Sequence, residues 1–401
     1  MKLGFVTPWF GFNIPGGAEA ELRGLATHLN QTDVEVEILT TCVKDFNSNW
    51  SENFHPEGET IENGLVIRRF KVDRRNKQKF DLVNLKLMKK IPLTPAEQQV
   101  YIDEMVNSKA LYEYLENNQD NYDLFVFIPY MFGTTYNGIK INPKKSVLIP
   151  CFHDEAYFYL DLFKDLYSQL GGMIFHARPE QQLVEDNYPL DPGLKHEVLG
   201  EGVDTGFGYD RERFVKKYNI KEPFILYAGR KEAGKRVHVL LKYFSEYHKR
   251  NKTNLKLVLI GGGNIKIPND VKKHVKDLGF VDIQDKYDAY GAATCLCQPS
   301  NSESFSLVIM ESWLANRPVI VSGGCPVTKS FAIESKGGLY FDNYFDFEGA
   351  VRFLTGNPEI ADEMGAAGNK FVNENFEWNV IVDKYTRFFQ ELIDRRGELD
   401  G

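Results

Sequence analysis

The chain has 401 residues, 43% hydrophobic and 26% charged, which suffices for two domains that each bury a core. A formal net charge of −8 removes any bulk electrostatic reason to bind nucleic acid. Cysteines at 42, 151, 295, 297 and 325 are odd in number and scattered, so they form no disulfide framework, and the sequence reads as a reduced, cytosolic protein. No apolar run approaches the ~18 residues of a membrane span. The Leu3–Thr7 run is stopped by Pro8, too short for a signal-peptide core.

Lys2–Thr7 reads as a strand, Pro8–Gly17 as a glycine- and aromatic-rich loop, and Ala18–Asn30 as an amphipathic helix built on Leu22, Leu25, Ala26 and Leu29. Val34–Thr41 is the second strand of this βαβ unit. Gly16-Gly17-Ala18-Glu19 is then the turn into the first helix, where backbone can approach a phosphate. From Ile67 to Lys90 the composition reverses. Arg68, Arg69, Lys71, Arg74, Arg75, Lys77, Lys79, Lys86, Lys89 and Lys90 face only Asp73 and Asp81. Such a run is a solvated face, or a surface that attracts anionic lipid head groups or a phosphorylated acceptor. Pro95–Asn117 is expected to be helical and Leu124–Ile128 a buried strand. Val147–Ile149 leads into Pro150–Glu155, which puts His153 just past a strand end, where ligands gather in open parallel sheets. Gly172–Phe175 and Glu197–Leu199 close the first domain, and Gly200–Phe207, GEGVDTGF, is a glycine-bearing linker.

Phe224–Ala228 opens the second domain as a continuous apolar strand ending in Gly229-Arg230. Lys235 precedes a helix built on Val237, Leu240, Leu241, Phe244 and Tyr247, so Arg230 and Lys235 share one βα loop. A planar fork beside a point charge is what a diphosphate would meet there. Leu255–Ile260 ends in Gly261-Gly262-Gly263, but Ile265–Pro268 follow instead of a helix, so this is no dinucleotide fingerprint. Cys295 and Cys297 share one face of a short strand with no other cysteine or histidine close in sequence, and no metal-ligand set is assigned. A helix is expected from Ser304 to Ala315, ended by a left-handed Asn316 and by Pro318, before the strand Val319–Val321. Within that helix Glu311 has Leu307, Val308, Leu314 and Ala315 as same-face neighbours. Its carboxylate is either a structural ion pair or an acceptor for a ligand's hydroxyls. Glu303 lies in the loop that opens the same helix.

Glu303, seven residues and then Glu311, inside PSNSESFSLVIMES with its Pro299-Ser300 lead, Phe305 and the Pro318-Val319-Ile320 exit, resembles the E-x7-E signature of retaining GT-B-fold glycosyltransferases of family 4. Gly16-Gly17 is similar to the family's glycine loop and Arg230/Lys235 to its Arg/Lys dyad, although Arg236 replaces the usual following glycine. GEGVDTGF resembles the interdomain stretch, with Glu201 where Asn is usual. The resemblance is strongest from Phe224 to Tyr340 and weakest from Phe46 to Tyr122, where acceptor recognition would lie.

The resemblance implies an α/β protein of two Rossmann-like domains facing across a cleft. Residues 1–203 would form the acceptor side and 204–375 the nucleotide-sugar side, with 376–401 a helix returning to the first domain. It implies transfer of a hexosyl group, with retention, from a GDP- or UDP-sugar to a hydroxyl acceptor, such as a growing glycan or lipid-linked saccharide of the cell envelope. Arg230 and Lys235 would take the diphosphate, Glu311 the ribose hydroxyls and Glu303 the donor sugar. Ser304, Phe305, Ser306 and Leu307 would offer donors at the helix start, and His153 would orient the sugar. The base would lie near Gly279–Tyr290. No cofactor or metal is implied, since two cations stand in for one and the chain has no Asp-x-Asp triplet. The implied location is cytoplasmic, with peripheral contact at the inner face of the membrane through Arg68–Lys90. A sugar-nucleotide epimerase, a phosphorylase and a noncatalytic nucleotide-sugar-binding subunit are the alternatives. A retaining glycosidase would also pair carboxylates, but would have no use for Arg230 and Lys235.

Overall fold

Short apolar strands, buried on both faces, assemble into two separate sheets. The computed structural model describes residues 1–400, with side chains to 397. It divides into one unit of Met1–Gly202 together with the chain from Trp378 onward, and a second of Val203–Glu377.

The first unit contains β1 (Lys2–Thr7), β2 (Glu35–Thr41), β3 (Gly58–Glu62), β4 (Leu65–Phe70), β5 (Leu124–Phe127), β6 (Ser146–Leu148), β7 (Gly172–Phe175) and β8 (Lys195–Val198). Their order is β3-β4-β2-β1-β5-β6-β7-β8. All pairs are parallel except the β3–β4 hairpin. Its Asn63-Gly64 turn has φ of 49° and 80°, the positive pair a two-residue hairpin favours. Arg68 and Arg69 therefore belong to a strand, which the basic composition had hidden. The helix expected over Pro95–Asn117 is two helices, Pro95–Asp103 and Lys109–Asn118. The Ser108 hydroxyl caps the second by accepting from Leu111 N, while the Asn107 side chain donates back to Ile102 O, so the chain is re-started between them. The C-terminal helix, Trp378–Asp400, packs on the Gly17–Leu29 helix. The Trp378 ring stacks on His28 at 4.2 Å, and a Cβ at Gly24 or Gly202 would come within 2.3 or 2.2 Å of it. These glycines make room for that indole.

The second unit contains β9 (Phe224–Ala228), β10 (Lys256–Ile260), β11 (Val275–Gly279), β12 (Cys295–Gln298), β13 (Val319–Ser322) and β14 (Gly338–Phe341). The all-parallel order is β11-β10-β9-β12-β13-β14, the doubly wound order 3-2-1-4-5-6. The winding reverses between β9 and β12, so the loops after these two strands flank the switch point. The helix after β12 is shorter than its sequence suggests, Leu307–Leu314, because Ser306 adopts a left-handed φ of 80°. Its end is as expected. Asn316 has φ 55°, its N–H bonds Trp313 O at 2.8 Å and Arg317 N–H bonds Ser312 O at 2.9 Å, a pair that closes the last turn.

Candidate functional site at the switch point of the second unit

The loop after β9 turns through a short 3-10 segment, Ala233–Lys235, into the helix Val237–Arg250. Arg236 sits at that junction with φ 55°, which explains why a glycine would suit the position. Lys235 Nζ lies 2.8 and 2.9 Å from the two Glu303 oxygens, and Gln298 Nε2 is 3.4 Å from one of them. The Arg236 guanidinium donates to Asn301 Oδ1, which also accepts from Ser322 Oγ at 2.7 Å. The loops after β9 and β12 are thus tied across the switch point by charged groups. Arg230 stays 73% exposed, paired only with Glu232 at 3.1 Å. Beneath it the buried Lys231 pins the loop to the sheet, with Nζ 2.8 Å from Asp277 Oδ1.

Glu311 projects from the helix after β12 with only 13% of its side chain exposed. Lys286 donates to one oxygen and Tyr290 OH to the other at 2.7 Å, both from the helix Ile283–Ala292. The structural ion pair is therefore real in the ligand-free chain. Burial, reinforced by the Glu311 charge, holds the Tyr290 phenol well above its ordinary range, so it remains a donor. Burial first, and Glu311 next, push the neighbouring Tyr287 up to about 12, and its ring stacks on Phe207 at 3.8 Å. Lys286 and Tyr290 were missed in the sequence. Their i,i+4 spacing shows that they share a face, but not what that face meets.

The expected helix-start donors need correction. Ser304 and Phe305 precede the helix, and the first helical residue is Leu307. Phe305 is 1% exposed and packs on Phe331 and Phe376 at 5.5 and 5.0 Å, so its side chain is core. Ser306 occupies the N-cap, and its buried hydroxyl bonds none of the described residues.

In the first unit Gly16 has φ 148°, and a Cβ there would strike Glu19 Oε2 at 1.9 Å. Glu19 in turn accepts from Trp9 Nε1 at 2.8 Å, while Gly17, the first residue of its helix, faces open space. His153 is part-exposed, with Nδ1 3.8 Å from Glu155. The basic stretch is less free than its composition suggests. Arg68 pairs with Glu59 at 2.6 Å, Arg69 with Glu62 at 2.9 Å, Lys71 with Glu57 at 3.0 Å, Lys77 with Asp81 at 2.6 Å, and Lys86 with Glu97. Arg75 lies over the Trp50 ring at 4.4 Å. Among the described residues Arg74, Lys79, Lys89 and Lys90 have no ion-pair partner. The Lys77–Met88 helix also exposes Leu82, Leu85 and Met88, followed by Ile91. Beside Ile91 opens a pocket of about 330 Å³ bounded by Leu87, Leu93, Tyr159 and Leu160.

Residues 209–371, nearly all of the second unit, match the family model of glycosyl transferases group 1. Among curated proteins the chain is 25% identical over 237 residues to a D-inositol 3-phosphate glycosyltransferase of Segniliparus rotundus, covering 54% of this chain and 51% of that one. The chain spans about half the length of the curated relatives it matches. Among solved structures, a sucrose-phosphate synthase of Thermosynechococcus elongatus superposes over 98% of this chain and 99% of its own, with TM-score 0.73 and 15% identity. Anabaena HepE, in complex with UDP and glucose, matches 98% of this chain and 100% of its own, with TM-score 0.67 and 13% identity. The fold is that of the GT-B glycosyltransferases: two Rossmann-like units, each built on a parallel sheet.

Proposed function

We propose that this chain, whose residues 209–371 match the model of the group 1 glycosyl transferases, moves a hexosyl group with retention from a UDP- or GDP-sugar to a hydroxyl acceptor. The observation that carries the reading is the pairing of Lys235 with Glu303 beside an exposed Arg230, at the switch point of the matched unit. A diphosphate brings more negative charge than one carboxylate, so it competes for Lys235 and recruits Arg230. Two fixed cations then offset the charge that develops on the departing nucleotide. Glu303, released from Lys235, turns to the donor sugar. Glu311 accepts from the ribose hydroxyls once Lys286 and Tyr290 share it. Leu307 and Ser306 supply the first N–H groups of their helix. His153 and the Gly16-Gly17 turn, on the first unit, keep the sugar- and phosphate-facing roles the resemblance gives them, and the transfer needs no metal.

The test is a transfer assay with UDP- and GDP-hexoses, reading nucleoside diphosphate release with and without saccharide acceptors and following the anomeric configuration of the product. Release with one donor, lost in Lys235→Ala, supports the reading. Binding of donors without release or transfer under any acceptor identifies a noncatalytic subunit instead.

The acceptor side supports a second, finer proposal. An apolar stripe of Leu82, Leu85 and Met88 bordered by Lys79, Lys89 and Lys90 suits the head-group boundary of an anionic membrane. It stands beside a pocket large enough to take part of a lipid-linked saccharide. None of the described helices is long and apolar enough to cross a membrane, so contact would be peripheral.

A further inference from the structure

Three segments of the first unit converge on a cluster that the transfer reading does not use. The Gly17–Leu29 helix contributes Glu21, one turn beyond the Gly16-Gly17 entry. Cys151 comes from the loop after β6, two residues before His153, in a left-handed conformation with φ 57°. His176 directly follows β7. Glu21 and His176 are 3% and 1% exposed. His176 Nε2 lies 2.5 Å from Glu21 Oε1, and Cys151 Sγ lies 3.7 Å from Glu21 Oε2. One donor atom from each residue falls within 4.8 Å of the others. Bonds of 2.0–2.3 Å in a tetrahedral set separate ligand atoms by roughly 3.3–3.8 Å, so Cys151 and Glu21 already stand at that spacing, while the Glu21–His176 pair would open to admit an ion.

The surroundings add negative charge. Glu180 is 2% exposed and accepts from the backbone N–H of Phe152 and of His176, both at 2.7 Å, with one oxygen 3.6 Å from His176 Nδ1. Glu201 is 6% exposed, and among the described residues nothing donates a hydrogen bond or ion pair to its carboxylate. Burial, and then the Glu21 charge, push the Glu201 carboxyl up. Three buried carboxylates thus surround one imidazole, with no lysine or arginine of the described residues paired to any of them. Buried carboxylates are paired or coordinate a cation, and among the described residues the His176 imidazole is the one basic partner this cluster holds.

We propose that Glu21, Cys151 and His176 bind one transition-metal dication, with solvent completing the set. A thiolate, an imidazole and carboxylates together favour zinc over calcium or magnesium. Binding replaces two protons: the thiol proton and the Nε2 proton that His176 now shares with Glu21. His176 Nδ1–H then faces Glu180, the outer carboxylate that orients a metal-bound histidine. The ion would join the helix behind Gly16-Gly17 to the loop that carries His153, fixing both without touching the diphosphate-binding loops.

The test uses the full chain, stripped with chelator and titrated with Co2+. The expected result is a near-ultraviolet thiolate-to-cobalt absorption that saturates at one equivalent and is displaced by Zn2+. Cys151→Ser abolishes the band, His176→Gln weakens binding at least tenfold, and Cys325→Ser, altered at a buried cysteine of the second unit, keeps it. X-ray absorption of the zinc-loaded wild type should show one sulfur among nitrogen and oxygen ligands, which needs no variant to fold. Absence of the band in the wild type, its survival in folded Cys151→Ser, or a zinc shell without one sulfur overturns the proposal.

Discussion

The two units put charge near the middle of a parallel sheet in opposite ways. In the second, Arg230, Lys235 and Glu303 sit in the loops after β9 and β12, with Arg230 open to water and Lys235 paired to Glu303, while Glu311 projects from mid-helix onto Lys286 and Tyr290. In the first, Glu21, His176, Glu180 and Glu201 are sealed inside. Lys235–Glu303 is bonded through both carboxylate oxygens, with Glu303 only 10% exposed, so a ligand that takes Lys235 must leave Glu303 another partner. A sealed cluster offers no such exchange, and its removal falls on the fold. The same residue types therefore serve exchange in one place and architecture in the other.

The largest expected effect tests the rim. Arg230→Ala and Lys235→Ala should each lower kcat/KM for the donor by about 10²–10³, the loss seen on removing a preorganised electrostatic group. Arg230→Ala should melt near wild type, as for an exposed ion pair, whereas Lys235→Ala should lose some stability because the 10%-exposed Glu303 side chain loses its partner. Near-wild-type turnover in both would put the pairs among solvated decoration. On the other side of the comparison, Glu180→Ala removes the acceptor of two buried N–H groups and a partner of His176. Denaturant unfolding should show a loss of about 3–5 kcal/mol; an unchanged midpoint would mean the cluster is not architectural.

Glu311→Gln decides where a borderline residue belongs. As a ribose acceptor it should weaken nucleoside diphosphate binding by about 1–3 kcal/mol, beyond whatever the lost Lys286 pair takes from the melting temperature. As a purely structural partner of Lys286 and Tyr290, it should lower the melting temperature alone. A smaller effect concerns acid stability of the first unit. Burial alone would raise the Glu37 carboxyl, but Lys2, Tyr122 and Arg68 outweigh it and hold it below the ordinary 4.5. A depressed folded-state value adds stability above the unfolded value that is lost as pH falls through the folded one. Glu37→Gln should accordingly flatten the decline in stability below about pH 4.5, measured by unfolding at a series of pH values. The smallest effect is at the exposed stripe, where each lysine near an anionic surface contributes on the order of 1 kcal/mol. Replacing Lys79, Lys89 and Lys90 by glutamine should release the chain from anionic vesicles at low salt, and equal sedimentation of both proteins would remove the membrane proposal.

The second unit was the more legible in sequence where its strands, β9, β10, β12 and β13, are short buried apolar runs, whereas β11, VKDLG, carries no such signal. Gly229-Arg230, Glu303 and the Asn316 helix end lie where their local chemistry puts them. What sequence could not supply were partners from distant segments. Lys286 and Tyr290 meet Glu311 from another helix, and Glu21, Cys151 and His176 are separated by up to 155 residues. The misread stretches of the first unit share a different cause. A side-chain cap at Ser108 divides what composition presents as one helix, and the Asn63-Gly64 turn makes the first residues of the basic run part of a hairpin strand, Leu65–Phe70.

Calorimetric titration of the full chain with UDP and GDP tests the central claim most directly. The account predicts saturable one-to-one binding of at least one of them, weakened at least tenfold in both Lys235→Ala and Arg230→Ala, in proteins that remain folded at the titration temperature. Binding that is unaffected by either substitution, or absent for both nucleotides, would contradict it.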